Sequence, residues 1–112
     1  MKKSKLKSLT ETTKIDLTEF YDEEVFVVLR EATFEEMRLL DKADKDSEVL
    51  INNLGIILPN VLVEHNIFED DGKTQLDNKE VITILFEKMN VAQAILEGYL
   101  NFLGQLKKSK KA

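Results

Sequence analysis

The sequence predicts an α+β fold, mainly α, in which one N-terminal β-hairpin packs on a bundle of about four helices. Three observations predict it. "EVFVVLR", Glu24 to Arg30, is rich in the β-branched and aromatic residues that suit a packed, pleated surface. Thr33 with Glu36, and Asp77 with Glu80, carry the three-residue spacing that opens helices. After Thr33 the apolar residues recur at helical intervals.

Residues 1–13 are polar, basic and aperiodic, and are expected to form a disordered arm. "KIDL", Lys14 to Leu17, reads as a first short strand, and "TEFYDE" supplies a turn into the strand that ends at Arg30, giving a hairpin over 14–30. Two strands alone are marginal in water, so one face of the hairpin must lie on helices. The first helix, about 34–44, opens at Thr33, with the apolar positions Phe34, Met37, Leu39, Leu40 and Ala43 following at helical spacing. Asp46 or Ser47 is placed to cap the second, about 48–65. That helix is apolar nearly all round, which predicts a central position, and Pro59 predicts a kink or break. "HNIFEDDGKTQLDN" reads as a loop turning at Asp71-Gly72. Asp77 and Glu80 then start a third helix, about 78–89, with Val81, Ile82, Leu85, Phe86 and Met89 as its expected buried face. Asn90 can close it before a fourth runs over 91–106. Residues 107–112 form a basic tail, expected to be disordered. Val27, Leu29, Leu54, Ile57, Leu62, Leu85 and Ile95 are the expected core.

At 112 residues the chain has the length of one domain, and 43% apolar against 33% charged residues is a globular composition. No run approaches the roughly 20 apolar residues that span a membrane. Without a leader-like segment or cysteine, the chain is expected in the cytoplasm, with no disulfide framework and no thiolate chemistry. Charge is unevenly placed. Residues 1–14 hold five Lys against one Glu and residues 107–112 hold four Lys, whereas 15–106 hold seven Lys/Arg against 20 Asp/Glu. An acidic body between basic ends lacks the clustered cations that track phosphates, so nucleic-acid binding is not expected.

The residue types of catalysis are sparse. The single His65 has Glu64 beside it, but neighbours on a helix point about 100° apart, and the expected role is that of a helix C-terminal residue favouring the dipole. "EDDGKTQLDN" resembles a calcium loop only in composition. With Gly72 at the sixth position, Ile67 falls first and Asn78 twelfth, where oxygen ligands and a Glu belong. The expectation is a solvated acidic turn, and a protein with no catalytic residues, metal or cofactor. The fourth helix carries more apolar arc than one core needs, and its edge near Leu96 and Leu100 is expected to face another chain, with hairpin residues near Phe20 and Tyr21.

The strand ending "VVLREATFEEMRLL", with Val28, Leu29, Arg30 and Thr33, followed by a small acidic helical domain, resembles the tail assembly chaperones of long-tailed phages and prophages. "HNIFEDDGK" is similar to a loop of members from Gram-positive hosts. The resemblance spans about residues 14–106. It implies a non-catalytic protein that coats the tape-measure protein and helps recruit tail-tube subunits. Self-association or client binding is expected, independently of the resemblance, through the Leu96/Leu100 edge. The alternative class is a small adaptor or inhibitor, phage-encoded, that works by acidic mimicry.

Overall fold

The computed structural model describes residues 10–43 and 47–109. Its architecture is α+β and mainly α. The elements run β1 (Thr12–Asp16), a 3-10 turn (Thr18–Phe20), β2 (Phe26–Arg30), α1 (Phe34–Ala43), α2 (Ser47–Val61), β3 (Leu62–His65), α3 (Asn78–Leu85) and α4 (Met89–Ser109). Residues 1–9 of the expected arm, Asp46, and 110–112 of the expected tail lie outside the described residues. Thr12 and Thr13 are already in β1, and the helical backbone continues through Ser109, so both expected ends begin too far inward.

The expected hairpin is present. β1 and β2 are antiparallel, from Thr12 opposite Arg30 to Asp16 opposite Phe26. Its turn is built by side chains. Asp16 Oδ1 accepts from Thr18 N–H at 2.9 Å, and Thr18 Oγ1 accepts from Val25 N–H at 3.3 Å. These Thr18 donors hold the Asp16 carboxyl below its ordinary range.

A third strand corrects the second helix. The helix ends at Val61, and Leu62–His65 pairs antiparallel with β2, making the sheet order β1-β2-β3. Pro59 stands two residues before this helix-to-strand change, so the expected break falls just beyond it. The register shifts between Val28 and Leu29, which lets Leu62 and His65 both face the core while Val63 and Glu64 face solvent. Asn78 fastens the junction, donating to the carbonyls of Pro59 at 3.0 Å and Leu62 at 2.7 Å. His65 is therefore a buried strand residue and not a helix terminus. Its Nδ1 accepts from Ile67 N–H at 3.0 Å, so Nε2, 3.0 Å from the Leu76 carbonyl, is the donor. Both ring nitrogens are used structurally.

The core joins Val27 and Leu29 of the sheet to Leu54, Ile57, Leu58 and Val61 of α2, Val81 and Leu85 of α3, and Val91, Ile95 and Tyr99 of α4. All seven residues expected in the core are buried. Phe34, the first apolar position in the helical spacing of α1, is 77% exposed on its first turn. The position of α2 also differs. It packs on α1, α3 and the sheet, yet Val49, Ile51 and Ile56 are exposed, so it is buried on one side rather than central. Apolar content alone overstated its burial.

Arg30 ties the layers together. Its guanidinium meets the Glu36 carboxylate through two bonds, 2.9 and 3.2 Å, and donates to the carbonyls of Glu31 and of Asn60 on α2. Its own carbonyl accepts from Tyr99 O–H at 2.9 Å. Glu36 is also half of the expected capping box, since Thr33 N–H donates to Glu36 Oε1 and Glu36 N–H donates to Thr33 Oγ1. Burial pushes the Glu36 carboxyl up, but the Arg30 guanidinium and the Thr33 N–H outweigh it and hold the group below the usual glutamate range. A carboxyl whose folded value is depressed contributes stability above its unfolded value and loses it as pH falls through the folded one. Stability in urea should thus hold from pH 7 down to about 5 and fall below about pH 4. Glu36→Gln should show a shallower acid limb. An acid limb as steep as wild type would remove Glu36 from its cause.

Candidate interaction surface

The third helix ends earlier than its periodicity suggests, at Leu85, and Phe86–Lys88 turns the chain into α4 at Met89. Asn90 lies inside α4, its Oδ1 accepting from Val91 N–H, and does not close α3. The opening of α3 is as expected, with Asp77 Oδ1 accepting from Glu80 N–H at 2.8 Å. This sharp turn lays the first turns of α4 beside α2.

Along α4, Val91, Ile95, Tyr99 and Leu103 face inward. Gly98 comes so close to the sheet that a Cβ there would stand 3.1 Å from Ile15 Cδ1. Met89, Leu96 and Leu100, at seven- and four-residue spacing, share a different face. Met89 is 84% exposed, Leu96 half-buried and Leu100 39% exposed. Ile51 of α2 stands across from them, and with Phe86, Met89, Ala92 and Leu96 it lines a groove of about 470 Å³. Only Glu87 and Gln93 add polar side chains to its lining. Gln93 is engaged along its own helix, donating to Glu97 Oε1 at 3.2 Å. An apolar channel of this shape suits apolar side chains from another helix.

Leu96 and Leu100 thus stand on one edge, as the periodicity of α4 suggests, with Leu96 in the groove and Leu100 one turn beyond it. Phe20 and Tyr21 do not join them. Both are half-buried against the core, and Lys88 holds them from the other side of the α3–α4 turn. Its Nζ stands 4.4 Å above the Tyr21 ring and 3.4 Å from the Phe20 carbonyl. Burial, and then the nearby Glu87 carboxylate, push the Tyr21 phenol above its ordinary value. Sequence reasoning left Ile51 out of the surface and put Phe86 and Met89 on the buried face of the third helix, whereas Met89 opens α4 and faces solvent because α3 ends at Leu85. The surplus of apolar residues on both helices was the available signal.

Tyr99 is buried with its hydroxyl committed to Arg30, and burial pushes its phenol far up. Asp71 closes the tight turn at Gly72, whose φ is +70°, by accepting from Lys73 N–H, Thr74 N–H and Thr74 O–H. Its oxygens face the loop's own donors, and those bonds hold its carboxyl low. Among the described residues no group of three or more His, Asp or Glu side chains is placed to hold a metal ion. No described helix is long and apolar enough to cross a membrane.

No protein-family model, curated protein or solved structure matches this chain.

Proposed function

We propose that this chain is a non-catalytic assembly chaperone for the tails of long-tailed phages, one that binds the tape-measure protein and assists assembly of the tail tube. The observation that carries the reading is the solvent-facing apolar stripe of Met89, Leu96 and Leu100, continued by Ile51 across the groove. A chaperone for a long helical client needs such a surface, because an amphipathic helix lays its apolar face into an apolar groove. Weak contacts repeated along one client gain strength through multivalency without any tight single site. The excess of carboxylates over the body of the chain favours solubility while such a face stays open.

The "VVLREAT" residues that carry the resemblance act inside the fold. Leu29 is buried, Arg30 joins four elements and Thr33 caps α1. They hold the scaffold of this chain, and the binding chemistry rests on the groove.

Co-expression with the tape-measure protein tests it. Wild type should keep the client soluble, and Leu100→Glu, folded as shown by an unchanged melt, should lose most of that effect. If the folded variant protects the client as well as wild type, the α4 edge is the wrong surface. If wild type does not bind the client, the chaperone reading falls and the adaptor alternative moves ahead.

A further inference from the structure

On the opposite side of the α3–α4 turn lies a second cleft, of about 550 Å³, whose chemistry differs from that of the groove. Three segments enclose it: the hairpin turn from Tyr21 to Val25, the loop from Asn66 to Gly72, and the end of α3 at Ile84 and Leu85. Its floor is apolar, and two residues there remain open to solvent, Phe68 at 43% and Ile84 at 41%. Its rim is acidic, formed by Glu23 and Glu24 on one side and Glu69 and Asp70 on the other. All four are exposed, and none of these carboxylates takes part in a hydrogen bond or ion pair among the described residues. Lys88 is engaged with the Tyr21 ring and the Phe20 carbonyl, and Lys73 does not line the cleft.

The walls are tied in place. Asn66 bridges loop to hairpin, its Oδ1 accepting from Phe26 N–H at 3.0 Å and its Nδ2 donating to the Glu24 carbonyl at 2.8 Å. The loop folds back on itself through Glu69 N–H to the Thr74 carbonyl, Leu76 N–H to the Ile67 carbonyl, and the Asp71 turn. A cleft held this way loses little entropy when it is filled.

We propose that this cleft docks a short basic segment of a partner protein, with Lys or Arg residues flanking an apolar anchor. Charge complementarity selects the partner. Four carboxylates of one sign surround an apolar floor, so the occupant must bring cations to the rim and an apolar side chain to Phe68 and Ile84. This site does not rest on the chaperone reading, since it shares no lining residue with the α2–α4 groove.

The test is fluorescence anisotropy of full-length protein with a fluorescein-labelled Lys-Leu-Lys-Phe-Lys peptide, at low and physiological salt. Wild type should bind it, more weakly as salt rises. Glu69→Lys/Asp70→Lys should weaken binding at least tenfold, whereas Glu35→Lys/Asp41→Lys on α1, with the same charge change, should leave it within twofold. Amide shifts on titration should centre on Phe68 and Ile84. Equal loss in both variants would reduce the effect to overall charge and overturn the site. Equal binding of a peptide with Ser in place of Leu and Phe would also overturn it. A tenfold gain on replacing Lys2, Lys3, Lys5 and Lys7 by Ala would assign the cleft to the chain's own amino-terminal arm, and the external partner would fall.

Discussion

Leu54→Ala should lower the unfolding free energy by about 2–5 kcal/mol, the range for a large-to-small change in a close-packed core. Leu54 is fully buried in α2, within the cluster that joins sheet and helices. The cost has two parts: the lost transfer energy of the side chain and the cavity left where neighbours cannot collapse. Fixed elements on several sides, the sheet and α3 among them, limit that collapse. Ile51→Ala, one turn earlier and half-exposed, is the matched control and should stay within about 1 kcal/mol of wild type. Urea denaturation with an unchanged m-value measures both. Equal losses in the two variants would contradict the one-sided burial of α2.

Arg30→Ala should cost about 2–3 kcal/mol, below most of the range for a fully buried ion pair because Arg30 and Glu36 are only partly buried. The effect has a specific source. Glu36, whose side chain is 12% exposed with Arg30 in place, loses its cation, and the Asn60 carbonyl loses a donor. Arg30→Lys should recover part of the loss, because an ammonium restores the charge but not the two-bond fork. Arg30→Met with Glu36→Leu should recover more, because no uncompensated charge is then buried. Chemical denaturation of the set resolves these terms. A double variant as unstable as Arg30→Ala would shift the explanation from the stranded carboxylate to lost packing around the Arg30 stem.

The features legible in the sequence were those fixed by neighbours along the chain. Thr33 with Glu36, Asp77 with the Glu80 amide, and the Asp71-Gly72 turn each act within four residues, and each is found where its residue types put it. β3 was not legible for a physical reason. Its bulge buries Leu62 and His65, three residues apart, so the strand carries the burial spacing of a helix turn. Pairing with β2, some 35 positions away, decides between the two. The candidate surface was half legible. The spacing of Leu96 and Leu100 marked an edge of α4, but its pairing with Ile51 and Met89, and its separation from Phe20 and Tyr21, depend on where the α3–α4 turn points the chain.

The hydrogen bond from Tyr99 to the Arg30 carbonyl spans 69 positions, and the approach of Gly98 to Ile15 spans more. During synthesis the hairpin, α1, α2 and β3 all leave the ribosome while that half of the sheet still lacks its cover. Ile15 on β1, which Gly98 approaches, must wait for α4 before its cover is complete. Such long-range closure is the slow class of contact, met late and only after its loop entropy has been overcome. The nascent chain therefore passes through an interval in which its own apolar sheet face is exposed.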